Sequence, residues 1–255
     1  MEARFLSTWR RPAYIAGCAQ TIWIDAVGRE APVLLRNYDF APALLEGCWT
    51  ATRWFGRRVV SMSDCLWGSL NGINEAGLVA SLSFGGRELC GDGFGVPLIL
   101  CYVLEMAETV AEASEVLRRI PSSMSYNIAL LDRAGDWTTV FIAPDAPAEM
   151  TSNRTTTNLQ HGVTWPAHAR ATRSVERLEH LEGIALRSTR SEKVTQALLK
   201  PPLFQTGYEN GYGTLYTAVY CPRAARAELF WQGSSWSQTI DDFCEGERLI
   251  TYGTA

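Results

Sequence analysis

Apolar and polar residues alternate in short runs over the first third of the chain, and turn residues separate the runs. Residues 21–25 and 33–36 read as strands around the polar turn AVGREAP, and 59–64 (VVSMSD) as a third. The stretch LWGSLNGINEAGLVASLSF, 66–84, holds two apolar runs about Gly and Asn. It predicts a hairpin whose turn is shaped by Asn71, Asn74 and Glu75. After the glycine-rich loop 84–95 the period becomes helical. PLILCYVLEMA, from Pro97, is apolar on most sides and predicts a buried helix. Thr109 and Glu112 form a capping box that opens a second helix, and Pro121 closes it.

Strands return at 127–132 and 138–143, joined by RAGD, and a strand-like segment spans 149–158. Amphipathic helices are predicted over 168–182 and 191–199. GTLYTAVY and AELFWQG form a closing hairpin about CPRAAR. Helix pairs segregated between groups of hairpins predict antiparallel sheets covered by helices, an α+β architecture rather than alternating βαβ units.

Charge and composition narrow the function. A net charge of -4 gives no electrostatic footprint for nucleic acid. No run approaches the roughly twenty apolar residues of a membrane helix, and the N-terminal residues lack a signal-peptide core. Seven cysteines, an odd count without a C-x-x-C pair, fit neither a disulfide framework nor a zinc site, so a reducing cytoplasm is expected. GDGFGVP lacks phosphate-loop spacing, and neither G-x-S-x-G nor H-E-x-x-H occurs. His161, His168 and His180 have no ligand partner at metal spacing and read as surface histidines. No metal or organic cofactor is expected.

Two strings carry chemistry. AGCAQTIWID places Cys18 between a glycine and a strand, and LLRNYDF sets Arg36 and Asp39 three residues apart in an apolar strand. Charge in such a run is costly unless paired. A cut before Cys18 would give it a free α-amine, whose pKa of about 7.7–8.0 suits a general base. A guanidinium beside the sulfur would favour the thiolate, and a carboxylate would hold the ammonium.

The ordered pieces AGCAQT, LLRNYDF, LNGINEAGLVASLSFGG, TTTN, SVERL and GTLYTAVY resemble the acyl-coenzyme A:isopenicillin N acyltransferase-like family of N-terminal nucleophile cysteine hydrolases. They are more distantly similar to choloylglycine hydrolases and penicillin V acylases. The resemblance runs from Cys18 to about Gly233. It implies a four-layer αββα sandwich and self-cleavage between Gly17 and Cys18. The leader would be residues 1–17 and the mature domain 18–255. It also implies hydrolysis or transfer of acyl groups from linear amides of small N-acyl compounds, with acyl-coenzyme A or an amine as a candidate acceptor.

By the same resemblance Cys18 is the nucleophile and its freed amine the base. Arg36 lies beside the sulfur, Asp39 holds the amine, Asn158 gives an oxyanion donor, and Arg177 orders the site by charge pairing. A backbone N–H of Gly86 or Arg87 is the second oxyanion donor. The bile-salt enzymes carry an asparagine near Arg87, so this chain departs from them there. Two other readings remain: a non-catalytic acyl-ligand binder of the same fold, and a Cys–His hydrolase using His161. A homo-oligomer is also compatible with the sequence.

Overall fold

A computed structural model describes residues 17–253, and the proposed leader lies outside these except for Gly17. The first sheet contains β1 (Gly17–Trp23), β2 (Val33–Phe40), β10 (Thr155–Thr156), β11 (Gly213–Cys221), β12 (Arg226–Trp231) and β13 (Ser234–Thr239). Its spatial order is β10-β1-β2-β11-β12-β13. The second contains β3 (Trp49–Thr52), β4 (Val59–Asp64), β5 (Gly68–Asn74), β6 (Val79–Phe84), β7 (Tyr126–Leu131), β8 (Trp137–Ala143) and β9 (Ala146–Thr151), paired in chain order. Every pairing is antiparallel.

Helices α1 (Val96–Met106) and α2 (Val110–Arg119) cover the second sheet, and α4 (Ser174–Arg187) and α5 (Ser191–Leu198) the first, with α3 (Pro166–Ala171) leading into α4. The layers are therefore αββα, as expected. Ile22, Leu34, Ile73, Leu82, Ile128 and Tyr220 pack in the cluster between the sheets. Trp23, Val33, Leu35, Leu181 and Leu198 pack beneath α4 and α5. Each fully buried side chain of this size stabilises the fold by roughly 1.5–3 kcal/mol. The cap of α2 is as predicted, with the Glu112 N–H donating to the Thr109 hydroxyl at 3.2 Å.

Three expectations change. Segment 149–158 is divided between the sheets: β9 pairs with β8, and β10 pairs with β1. The helix expected over 168–182 breaks where Arg173 takes a left-handed φ of 52°, separating α3 from α4. Asp25 ends outside β1, and its carboxylate accepts the N–H groups of Val27, Arg29 and Glu30 in the following turn. Strands β3 and β13, absent from the sequence reading, lie at sheet edges, where β13 (SSWSQT) carries little apolar alternation.

Candidate active site

The site grows from the pairing of β1 with β2, in which Cys18 faces Tyr38 and Gln20 faces Arg36. Side chains on a strand alternate between faces. Cys18, Leu34 and Tyr38 consequently point between the sheets, whereas Ala19, Val33 and Leu35 point toward α4 and α5. Arg36 follows the first set, crossing to the Leu70 carbonyl and the Asn71 side chain on β5 of the opposite sheet. Asp39 follows the second and meets Arg177 on α4. Two residues three apart on a strand cannot share a face, so the Arg36–Asp39 spacing splits the charges across the first sheet.

Arg36 is fully buried. Its Nη2 lies 3.2 Å from the Cys18 sulfur, and its Nη1 donates to the Leu70 carbonyl at 2.9 Å and to Asn71 Oδ1 at 2.8 Å. The guanidinium carbon also sits 5.1 Å from the centre of the Tyr38 ring. Burial pushes the Cys18 thiol above its ordinary pKa, while Arg36 opposes this, as do Arg177 and the backbone N–H of Asp39. Burial is the stronger influence, so the thiol in this structure is held protonated beside a cation.

On the other face, the Asp39 carboxylate accepts from Arg177 Nη2 through one oxygen and from the Thr214 hydroxyl, at 2.6 Å, through the other. Both residues of the ion pair are fully buried. Arg177 also donates to the carbonyls of Leu203 (3.1 Å) and Thr172 (3.4 Å). Burial raises the Asp39 carboxyl above the usual range, with Arg177 and Thr214 pulling it back. Asp39 is thus occupied by Arg177 and Thr214, and the Cys18 N–H is bound elsewhere.

That N–H donates to Asn158 Oδ1 at 3.0 Å, and Asn158 Nδ2 donates to the Phe84 carbonyl at 3.1 Å. Asn158 therefore bridges β1 and the end of β6. Its backbone is fixed from both sides, because Asn127 Nδ2 donates to the carbonyls of Thr157 (2.9 Å) and Leu159 (3.0 Å). Gly86 lies against Asn158 with φ of 72°, and a Cβ there would collide with the Asn158 carbonyl. Only glycine satisfies both conditions. The Arg87 side chain forms a bidentate pair with Asp145, at 2.9 and 2.6 Å. Gly17 is constrained by a side chain alone: a Cβ would collide with the Tyr212 hydroxyl.

Cys18 opens onto a cleft of about 410 Å³ whose walls include Leu70, Leu82, Phe84, Val96, Met124 and Trp165, with Arg87 and Glu88 also on its lining. A mostly apolar cleft of this size with few polar groups suits a small ligand with an apolar portion. His161 is not among its lining residues. It is exposed, bonded to Glu149 at 3.1 Å, so the structure does not join it to Cys18. His180 is at the surface, but His168 is buried, stacked on Trp165 and edge-on to Phe84, contrary to expectation. Among the described residues no cluster of His, Cys, Asp and Glu could hold a metal ion, and no helix is long and apolar enough to cross a membrane.

The sequence reading did not find Thr214, Asn127 or the role of Asn71. Asn74 does shape its turn, accepting the Leu78 N–H at 3.0 Å, but Asn71 belongs to the site. Its place between Leu70 and Ile73, well before the turn that follows Asn74, was the available signal.

The sequence model of the family described as acyl-coenzyme A:6-aminopenicillanic acid acyl-transferase matches residues 27–236. The match includes Arg36, Asp39, Asn158 and Arg177 and begins after Cys18. No curated protein is similar enough in sequence to count as a match. Among solved structures the chain is similar to a Caenorhabditis elegans N-acylethanolamine-hydrolyzing acid amidase ortholog (TM-score 0.59, 15% identity, 86% of this chain and 99% of that one). It is similar to penicillin V acylase from Agrobacterium tumefaciens (TM-score 0.54, 15% identity, 86% and 84%). It is also similar to a mutant conjugated bile acid hydrolase from Clostridium perfringens (TM-score 0.53, 13% identity, 92% and 98%). At such identities the likeness is one of fold, that of the N-terminal nucleophile hydrolases.

Proposed function

Because the chain belongs to the acyl-coenzyme A:6-aminopenicillanic acid acyl-transferase family, we propose that it is a self-processing cysteine amidohydrolase or acyltransferase for small N-acyl compounds. The observation that carries this reading is the Cys18 sulfur, 3.2 Å from the buried Arg36 guanidinium, on the wall of an apolar cleft. The active domain is 18–255, released from leader 1–17 by cleavage between Gly17 and Cys18.

In the uncut chain the Cys18 nitrogen is an amide and cannot take a proton. Cleavage converts it to an α-amine that titrates near pH 8 and can accept the thiol proton. The thiolate, favoured by Arg36, attacks the amide carbonyl of the substrate, and the acyl group lies in the apolar cleft. The oxyanion is stabilised by Asn158 Nδ2, which has a second N–H beyond the one given to Phe84, and by the backbone N–H of Gly86 or Arg87. Neither of those backbone groups is engaged in a hydrogen bond among the described residues. The amine leaves with the proton held by the α-ammonium, and water or an acceptor amine resolves the thioester. Asp39, bound by Arg177 and Thr214, carries the negative charge next to the freed amine. Seven cysteines, an odd count without a C-x-x-C pair, suit a reducing compartment, which we take to be the cytoplasm.

The test is the intact mass of purified protein together with amine release from a panel of N-acyl amides and penicillins. Wild type should lose the mass of residues 1–17 and release amine, and Cys18→Ala should do neither. A Cys18→Ala protein that still turns over amides refutes the reading. A wild-type chain that stays whole and binds acyl ligands without releasing amine supports a non-catalytic binder instead.

A further inference from the structure

The buried charges of the site are matched unequally. Arg177 has the Asp39 carboxylate. Among the described residues Arg36 has no carboxylate in hydrogen-bond contact: it reaches the Leu70 carbonyl, Asn71 Oδ1 and the Cys18 sulfur, and its Nε has no partner there. Nη1 is shared between the Leu70 carbonyl and an amide oxygen. Asn71 Oδ1 takes Arg36 Nη1 at 2.8 Å and the Tyr216 hydroxyl at 2.7 Å, while Asn71 Nδ2 donates to the Tyr220 hydroxyl. Arginine can only donate, so the oxygen of Asn71 must be the atom facing it. Arg36, Asn71, Tyr216 and Tyr220 are all buried.

A carboxylate in this place would fit as well and would make a stronger bond. It would also neutralise the cation. We propose that Asn71 is a positioning residue for the thiol: a neutral acceptor that fixes the Arg36 guanidinium against β5 without neutralising it. The charge of Arg36 is thereby left for Cys18, which among the described hydrogen-bond partners of Arg36 is the one with an ionisable proton. The other ionisable groups packed around the pair are Asp39, already matched by Arg177, and the phenols Tyr38, Tyr212, Tyr216 and Tyr220. Burial holds Tyr212 and Tyr216 well above the ordinary phenol value and pushes Tyr220 up to about 12, so these remain neutral.

The inference rests on Cys18 being the reacting thiol, but its test does not need turnover. Carbamidomethylation of Cys18 by iodoacetamide is followed against pH, with the modified peptide quantified by mass. Wild type, Asn71→Asp and Asn71→Ala are compared in the same processing state. Asn71→Asp keeps every contact, because the Tyr220 hydroxyl can turn and donate. An added carboxylate on Arg36 should move the alkylation midpoint up by about one unit or more, a loss of about tenfold in rate near neutral pH. Asn71→Ala removes the acceptor but adds no charge, and its midpoint should stay within about half a unit of wild type.

A side chain with only a packing role would leave the two midpoints alike. An Asn71→Asp midpoint equal to wild type, or an Asn71→Ala midpoint raised as far as that of Asn71→Asp, overturns the proposal. If Asn71→Asp does not fold, Asn71→Glu supplies the same charge: a midpoint a unit or more above that of Asn71→Ala supports the proposal, and a midpoint equal to it overturns the proposal. Failure of the proposed function shows separately, as turnover that survives Cys18→Ala.

Discussion

Replacing Arg177 with Met keeps much of the side-chain volume and removes the one cation among the described residues that touches Asp39. Both partners are fully buried, so the carboxylate is left with the Thr214 hydroxyl alone. Breaking a buried pair from one side costs about 3–5 kcal/mol, because an uncompensated charge stays in the interior. The carbonyls of Leu203 and Thr172 also lose a donor. The assay is urea unfolding followed by tryptophan fluorescence, in a Cys18→Ala background so that every chain carries the same leader.

The pH dependence has a definite sign. Burial already raises the Asp39 carboxyl, and Arg177 is the largest influence pulling it back. Without Arg177 the folded variant binds a proton at a pH where folded wild type has released it. Lowering pH through that window stabilises the variant relative to wild type, so the deficit is smaller at pH 5 than at pH 8. Adding Asp39→Asn to Arg177→Met removes the stranded charge and should recover about 2 kcal/mol. A loss under about 1 kcal/mol, or an equal loss at both pH values, refutes the reasoning.

Other outcomes follow from the same geometry. Gly17→Ala drives a methyl into the Tyr212 hydroxyl, so the intact mass should show the leader retained, and Tyr212→Phe in the same chain should restore cleavage. Asn158→Ala should lower kcat by about 10²–10³ with little change in KM; an unchanged kcat removes Asn158 from the oxyanion site. Leu82→Trp fills the cleft beside Cys18, and a series of amides should show long acyl chains disfavoured by about tenfold or more while acetyl is retained.

Much of this arrangement is legible in the sequence because strand and helix periods are local. The hairpin 66–84, the cap at Thr109 and the buried helix from Pro97 each depend on neighbours within a few residues, and each forms. The misses have a common cause. Thr155 and Thr156 belong to the first sheet because β1 is there to receive them, and nothing in 149–158 itself says where β9 ends. The break at Arg173 is a left-handed residue without a glycine to announce it. His168 reads as polar surface until Trp165 and Phe84 enclose it.

Periodicity by itself determined antiparallel sheets covered by helices and most of the order of elements, and the chemistry a thiol requires singled out Cys18, Arg36 and Asp39; the four layers, Asn158 and Arg177 came with the family resemblance. Tertiary structure decided which groups meet. Alternation along β2 sends Arg36 between the sheets to Cys18 and Asn71, and sends Asp39 to the helix side, where Arg177 and Thr214 hold it. Cys18 and Arg36 are 18 positions apart, and Cys18 and Asn158 are 140 apart. Contacts at such separations depend on sheet register and helix packing, which no local pattern encodes.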